Sequence, residues 1–159
     1  MPIYMKVDGI DGAVTEAAHD KWIDCSSLSW GSSRSIVSTT GSTRNREASQ
    51  PAVSEVTITK EMDESSPYLF LESVVGKGKT VNIHLVQTGD GGELETYMEY
   101  DLENSLVSNY SVSSGGDRPI ESVGLSFTKL VMRYIPTAND RSSEAQIPAG
   151  YDLSTAKKV

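Results

Sequence analysis

The sequence predicts a mainly β fold accompanied by one short α-helix and one long extended loop. Three observations carry this reading. Apolar residues recur at every second position through most of the chain, the period of a half-buried strand. A single stretch, residues 63–76, places helix-start and helix-stop residues around a short apolar run. Residues 32–54 are rich in Ser, Thr, Arg and Gly, with Ile36, Val37 and Val53 as the strong apolar anchors.

The first strand is Ile3, Met5 and Val7 alternating with Tyr4, Lys6 and Asp8, and it stops at Asp8-Gly9. In Lys21–Gly31 the residues Trp22, Cys25, Leu28 and Trp30 cannot share one face of an unbroken strand. A bulge at Ser26-Ser27 is expected, and its bend suits a closed barrel. The Ser32–Ser54 stretch is longer than a compact domain ordinarily tolerates in a structureless loop, which points to function or an assembly arm. Val56 and Ile58 alternate with Thr57 and Thr59 in the next strand.

The helix follows. Ser66 is placed to cap free amides, with Pro67 at the first helical position, where a missing N–H costs nothing. Asp63 and Glu64 put negative charge near the positive end of the helix dipole. Tyr68, Leu71, Val74 and Val75 are expected to face inward, and Gly76 to supply a left-handed stop. Strand patterning then returns with Val81, Ile83 and Leu85, a hairpin tip at Gly89-Asp90-Gly91-Gly92, and Leu94, Thr96, Met98, Tyr100 and Leu102 on one face. Leu106, Tyr110 and Val112 continue it, and Val123, Leu125, Phe127, Lys129 and Val131 form the longest alternation. Residues 138–159 read as a polar C-terminal tail with apolar spots at Ile147-Pro148 and Tyr151–Leu153. No period of 20–50 residues repeats, which argues against a solenoid or propeller.

At 159 residues the chain fits one domain, 1–159. Its 22 acids against 14 bases give a formal charge of -8, which repels phosphate backbones and argues against nucleic-acid or anionic-membrane binding. Cys25 is the only cysteine, so no intramolecular disulfide and no multi-thiolate metal site are expected. The N-terminal residues 1–8 lack the basic and apolar regions of a secretory signal, and no stretch approaches a membrane span. Synthesis in the cytoplasm is expected, with any export by a route that reads no cleavable signal.

Signals for chemistry are weak. His19 and His84 are the only histidines: His84 reads as a solvent-facing strand residue and His19 as a loop or capping residue. No G-x-S-x-G elbow occurs. Asp8-Gly9-Ile10-Asp11-Gly12 lacks the spacing and closing Glu of a calcium loop. Gly76-Lys77-Gly78-Lys79-Thr80 precedes a strand, so no helix N-terminus faces a phosphate there. Glu93, Glu95, Glu99 and Glu103 read as a solvated outer face, and Trp22 and Trp30 as packing residues ahead of a sugar-binding surface. No catalytic residue, cofactor or metal is therefore assigned. A β-rich scaffold with a long arm and no convincing active site points to binding or assembly.

The sequence also resembles a known family. Ile3–Gly12, His19-Asp20-Lys21-Trp22-Ile23 with Leu28-Ser29-Trp30-Gly31, and above all Val56–Pro67 with Leu69-Phe70 are similar to blocks of the Hcp family, the tube proteins of bacterial type VI secretion systems. Glu121–Phe127 through Tyr134 and Gly150-Tyr151-Asp152-Leu153 resemble its late strand and tail. Cys25-Ser26-Ser27 replaces a more aliphatic stretch, and the 32–54 arm is variable.

The resemblance implies a small β-barrel of two packed, mostly antiparallel sheets with a helix alongside. It implies a homohexameric ring that stacks into a tube and is expelled by sheath contraction to the medium or a target cell. The implied partners are sheath, spike and baseplate proteins, and effectors held in the ring lumen. Arg34, Arg44, Arg46 and Glu47 of the arm are the candidate ring-stacking residues, because planar guanidinium donors engage carboxylates in pairs. Lumen-facing residues are not assigned. The alternatives are a phage-like contractile tail-tube subunit and a ligand- or carbohydrate-binding barrel.

Overall fold

The computed structural model describes residues 1–38, 40–41, 47–89, 91–136 and 145–159. In chain order the elements are β1 (Ile3–Val7), β2 (Ile23–Cys25), β3 (Ser27–Ser29), β4 (Ser32–Ser33), β5 (Ile36–Val37), β6 (Glu47–Ala48), β7 (Ala52–Val53) and β8 (Val56–Glu61). Then come α1 (Ser66–Val75), β9 (Lys79–Thr88), β10 (Leu94–Ser113), β11 (Ile120–Ser126), β12 (Lys129–Tyr134), β13 (Ile147–Asp152) and β14 (Lys157–Lys158). A 3-10 turn occupies Ala17–His19. The mainly β prediction holds, with one α-helix among the described residues.

Two antiparallel sheets share the 20-residue strand β10. Its first half lies between β9 and β12, in a sheet that continues through β1 and β2 on one side and β13 and β14 on the other. Its second half pairs with β11, which carries β8 and then β3. The sheets pack over a core of Met5, Val7, Ile23, Val56, Ile58, Val81, Ile83, Leu102, Val107, Val123, Leu125 and Leu130.

Among the described residues the expected closed barrel is not formed. The chain passes from β2 to β3 at Ser26, whose N–H bonds the Thr59 carbonyl at 2.7 Å, but no ladder joins β2 to the second sheet. The interruption at Ser26 does fall where Trp22, Cys25, Leu28 and Trp30 demanded it, and it lets one segment serve both sheets.

Three other expectations are corrected. Leu106 and Val112 are exposed, and Val107 is the buried residue. For Leu106 and Val107 the cause is Asn104, which adopts φ +50 and shifts the register between Leu102 and Ser105, whereas a second shift between Val107 and Asn109 returns the strand to the parity of Tyr110 and Val112. One extra residue reverses which parity faces inward. The long alternation from Val123 to Val131 is likewise two strands: after Phe127 and Thr128 the inward parity passes to Leu130 and Met132. Finally, residues 147–158 are not a tail, since β13 pairs along all of β12 and β14 folds back on β13.

The described parts of the 32–54 arm form a ribbon. β4 pairs with β7 and β5 with β6, and Ser49 and Ser54 hydroxyls accept from the Ser35 and Gly31 amides, which satisfies backbone a bare loop would leave to water.

Candidate assembly surface

The strand-to-helix junction is built around a buried polar network. Alternation on β8 turns Lys60 inward with Val56 and Ile58, and Lys60 and Glu121 are both fully buried. Lys60 Nζ donates to the Glu61 carbonyl at 2.8 Å, to Asp63 Oδ1 at 3.0 Å, and lies 3.5 Å from Glu121 Oε2. Ser66 donates to the other Glu121 oxygen and accepts from the Asp63 N–H at 3.0 Å. Burying an ammonium is tolerable only when its donors and charge are matched in this way. Burial, then the Glu121 carboxylate, push the neighbouring Tyr110 phenol up to about 12. The network explains why so many polar residues precede the helix: they weld its start to both β8 and β11.

The helix differs from expectation in its start, its faces and its stop. Ser65 stands at the N-cap without a side-chain cap bond, and Pro67 sits one position inside the first. Asp63 takes over, accepting from the Ser65 N–H at 2.9 Å. Gly76 ends the helix in extended conformation, φ -67, and a Cβ there would strike the Glu72 carbonyl oxygen, so close approach and not left-handed backbone requires glycine.

Most consequential is the face that the helix buries. Ser66 and Leu69 point into the fold, with Leu69 at 0% exposure. Tyr68, Phe70, Leu71, Val74 and Val75 are at least half exposed, reaching 74% at Val75. Phe70 leans on Tyr110, ring centroids 6.2 Å apart, and among the described residues the rest do not join the core cluster. The helix is thus apolar toward solvent, the reverse of a helix that stabilises its own domain. A contiguous exposed apolar face marks an interaction surface.

Further apolar exposure lies on the arm at Ile36 and Val37, and on Ile120, Tyr134 and Ile147. Where the arm meets the first sheet, a cavity of about 270 Å³ is lined by Trp30, Val53, Phe127, Leu130, Met132 and Tyr151. Trp30 also packs edge-on to Tyr100.

Of the sequence-predicted stacking residues, Arg34 is exposed between β4 and β5, and Glu47 pairs its backbone with Val37 in the arm ribbon. Arg44 and Arg46 lie outside the described residues. Cys25 is buried, and desolvation pushes its thiol far above the usual range, which leaves no reactive thiolate. Among the described residues no cluster of three or more His, Cys, Asp or Glu is placed to hold a metal ion, and no helix is long and apolar enough to cross a membrane.

Sequence reasoning missed the pairing of the two histidines. His84 does lie on the outer face of β9, but residues 12–22 fold over it, and His19 Nε2 stands 2.9 Å from His84 Nδ1. The signal was faint. Tyr4 and His84 fall opposite each other only once the β1–β9 register is known.

Two sheets around a shared long strand, a ribbon arm and a helix turned apolar side out present a broad apolar surface, the mark of a protein that interacts through that face. The comparisons narrow the class. The family model for the type VI secretion system effector Hcp matches residues 4–134, and the chain belongs to this family of type VI secretion tube proteins. A solved type six secretion system protein is 27% identical with a TM-score of 0.90, over 99% of both chains. Hcp1 from Salmonella typhimurium is 23% identical, TM-score 0.77, over 99% of this chain and 98% of its own. A type VI secretion system effector from Yersinia pestis is 21% identical, TM-score 0.72, over 94% and 98%. No curated protein matches the chain.

Proposed function

We propose that this chain is a structural, non-enzymatic subunit of the secretion tube, closing into hexameric rings that stack and are driven out when the sheath contracts. The observation that carries this is the inverted helix. Five large apolar side chains facing water are a standing cost that a neighbouring copy removes. Family membership supplies the occupant: in a head-to-tail ring each subunit offers two different surfaces, and the α1 face is one of them.

The arm is the proposed stacking element, with Arg34, Arg44, Arg46 and Glu47 meeting charged residues of the next ring. Sheath, spike and baseplate proteins are the further partners. The ring lumen is the proposed place for effectors, and export to the medium or a target cell is the outcome of contraction.

Light scattering after gel filtration, followed by negative-stain imaging, tests the reading. A hexamer-sized mass with open-centred rings is expected. A monomer at concentrations where the family assembles would overturn it. Leu71→Glu with Val74→Glu should leave the fold intact, because both positions are exposed and Glu is a better helix former than Val. The double variant should elute as a monomer with unchanged circular dichroism; intact rings would remove α1 from the interface.

A further inference from the structure

Apart from the assembly surface, the molecule carries a linked pair of imidazoles. Residues 12–22 form a small flap across the outer face of the first sheet. It is held within itself by Lys21 N–H to Val14 carbonyl at 2.7 Å and Val14 N–H to Trp22 carbonyl at 3.1 Å. Gly12 is needed because a Cβ there would strike the Trp22 carbonyl. The flap reaches the sheet through His19, only 4% exposed, whose ring sits against Tyr4, Trp22 and His84 at centroid distances of 5.0, 4.8 and 5.1 Å. Trp22 in turn lies 4.5 Å from His84.

The proton count in this cluster is constrained. His19 Nδ1 donates to Glu16 Oε2 at 2.5 Å, and His19 Nε2 faces His84 Nδ1 at 2.9 Å. His84 Nε2 is 3.8 Å from Glu99 Oε1. Two facing ring nitrogens can share one hydrogen, so one must donate and the other accept. One added proton suits the chain well: His19 then donates at both nitrogens and His84 donates toward Glu99. A second proton sets N–H against N–H and cation against cation, and the bond must break.

We propose that the His19–His84 bond is an acid-released latch, holding the 12–22 flap on the sheet until both imidazoles are protonated. The surrounding charges set its threshold. On the flap stands Glu16, on β1 the buried neutral Tyr4 with Asp24 of β2 beside it, on β10 Glu99 and Asp101, and on β12 Arg133. Arg133 donates to Glu99 at 3.1 Å and to Asp101, so much of their charge is already engaged. Burial first, and the facing His19, hold the His84 pKa below its ordinary value despite Glu99. The unfolded chain therefore takes up this proton before the folded one does. Stability is full above about pH 6.5 and declines as pH falls toward the folded value. Opening removes one wall of a cleft of about 430 Å³ lined by Tyr4, Val14, Glu16 and Asp24.

The latch is independent of tube assembly. Amide hydrogen exchange of the wild-type protein at about pH 7 and about pH 5 tests it. The Val14, Lys21 and Trp22 amides should exchange about tenfold faster at the lower pH than the intrinsic rate change explains, while β9 amides stay protected. Trp22 emission in a Trp30→Phe background should report the same transition. His84→Asn keeps a polar group at the bonding position but takes no proton, so its flap should stay protected across the range. An equal transition in His84→Asn would overturn the latch. So would a wild-type flap that stays protected while nuclear magnetic resonance shows both imidazoles charged.

Discussion

Lys60 shows how a single residue can matter more through what it neutralises than through what it adds. Its ammonium is fully buried within reach of Asp63 and Glu121, and Ser66 completes the hydrogen bonding. Lys60→Met preserves the stem but strands the carboxylates. The expected loss is about 3–5 kcal/mol, the range for breaking a buried pair by removing one partner. Urea unfolding should show it as a lower midpoint. Lys60→Met with Glu121→Met should recover part of that loss, because the uncompensated charge on β11 goes with its partner. A double variant no better than the single would mean that packing, not charge, dominates at this site. Ser66 and Asp63 would then be mere neighbours of the helix start.

At the scale of elements, Asn104 decides how one strand serves two sheets. Tyr100 and Leu102 face the core on one parity, Ser105 and Val107 on the other, and the positive φ of Asn104 is where parity changes. Deleting Asn104 should turn Val107 outward and prevent folding, read as loss of a dispersed nuclear magnetic resonance spectrum. Asn104→Gly should be tolerated within about 1 kcal/mol, since glycine adopts that backbone freely. The helix makes the complementary point. Its place in the chain was legible in Asp63-Glu64-Ser65-Ser66-Pro67, but the expected Ser66 cap was not formed, because the Ser66 hydroxyl is engaged by Glu121 and Asp63. Its buried face was not legible, since apolar content alone led to Leu71, Val74 and Val75 as core, and those side chains are exposed.

For the whole molecule, charge and exposed apolar surface divide the proposed labour. In the proposed ring, closure through apolar burial should be nearly indifferent to salt, whereas stacking through arm arginines should weaken as ionic strength rises. Arg44→Glu with Arg46→Glu should therefore leave rings intact and shorten or abolish tubes, counted in negative-stain fields at low and high salt. Rings and tubes that dissolve together would reject the division.

The sequence by itself determined what local chemistry can determine. Alternation in Ile3–Val7 and Val56–Ile58 set those strands and their inward faces. The conflict among Trp22, Cys25, Leu28 and Trp30 set the break at Ser26, and the glycines at 89–92 set the β9–β10 turn. The blocks around Ile3–Gly12 and Val56–Pro67 disclosed the family. Only the tertiary structure decided what depends on contacts between distant segments. Strand pairing brought His19 to His84, 65 positions away, and Lys60 to Glu121, 61 positions away. The ladder along β12 turned an apparent tail into sheet, and the parity shift at Asn104 chose Val107 over Leu106. The outward helix has the same physical cause. Periodicity reports that a face is apolar, but which body covers that face is settled by packing.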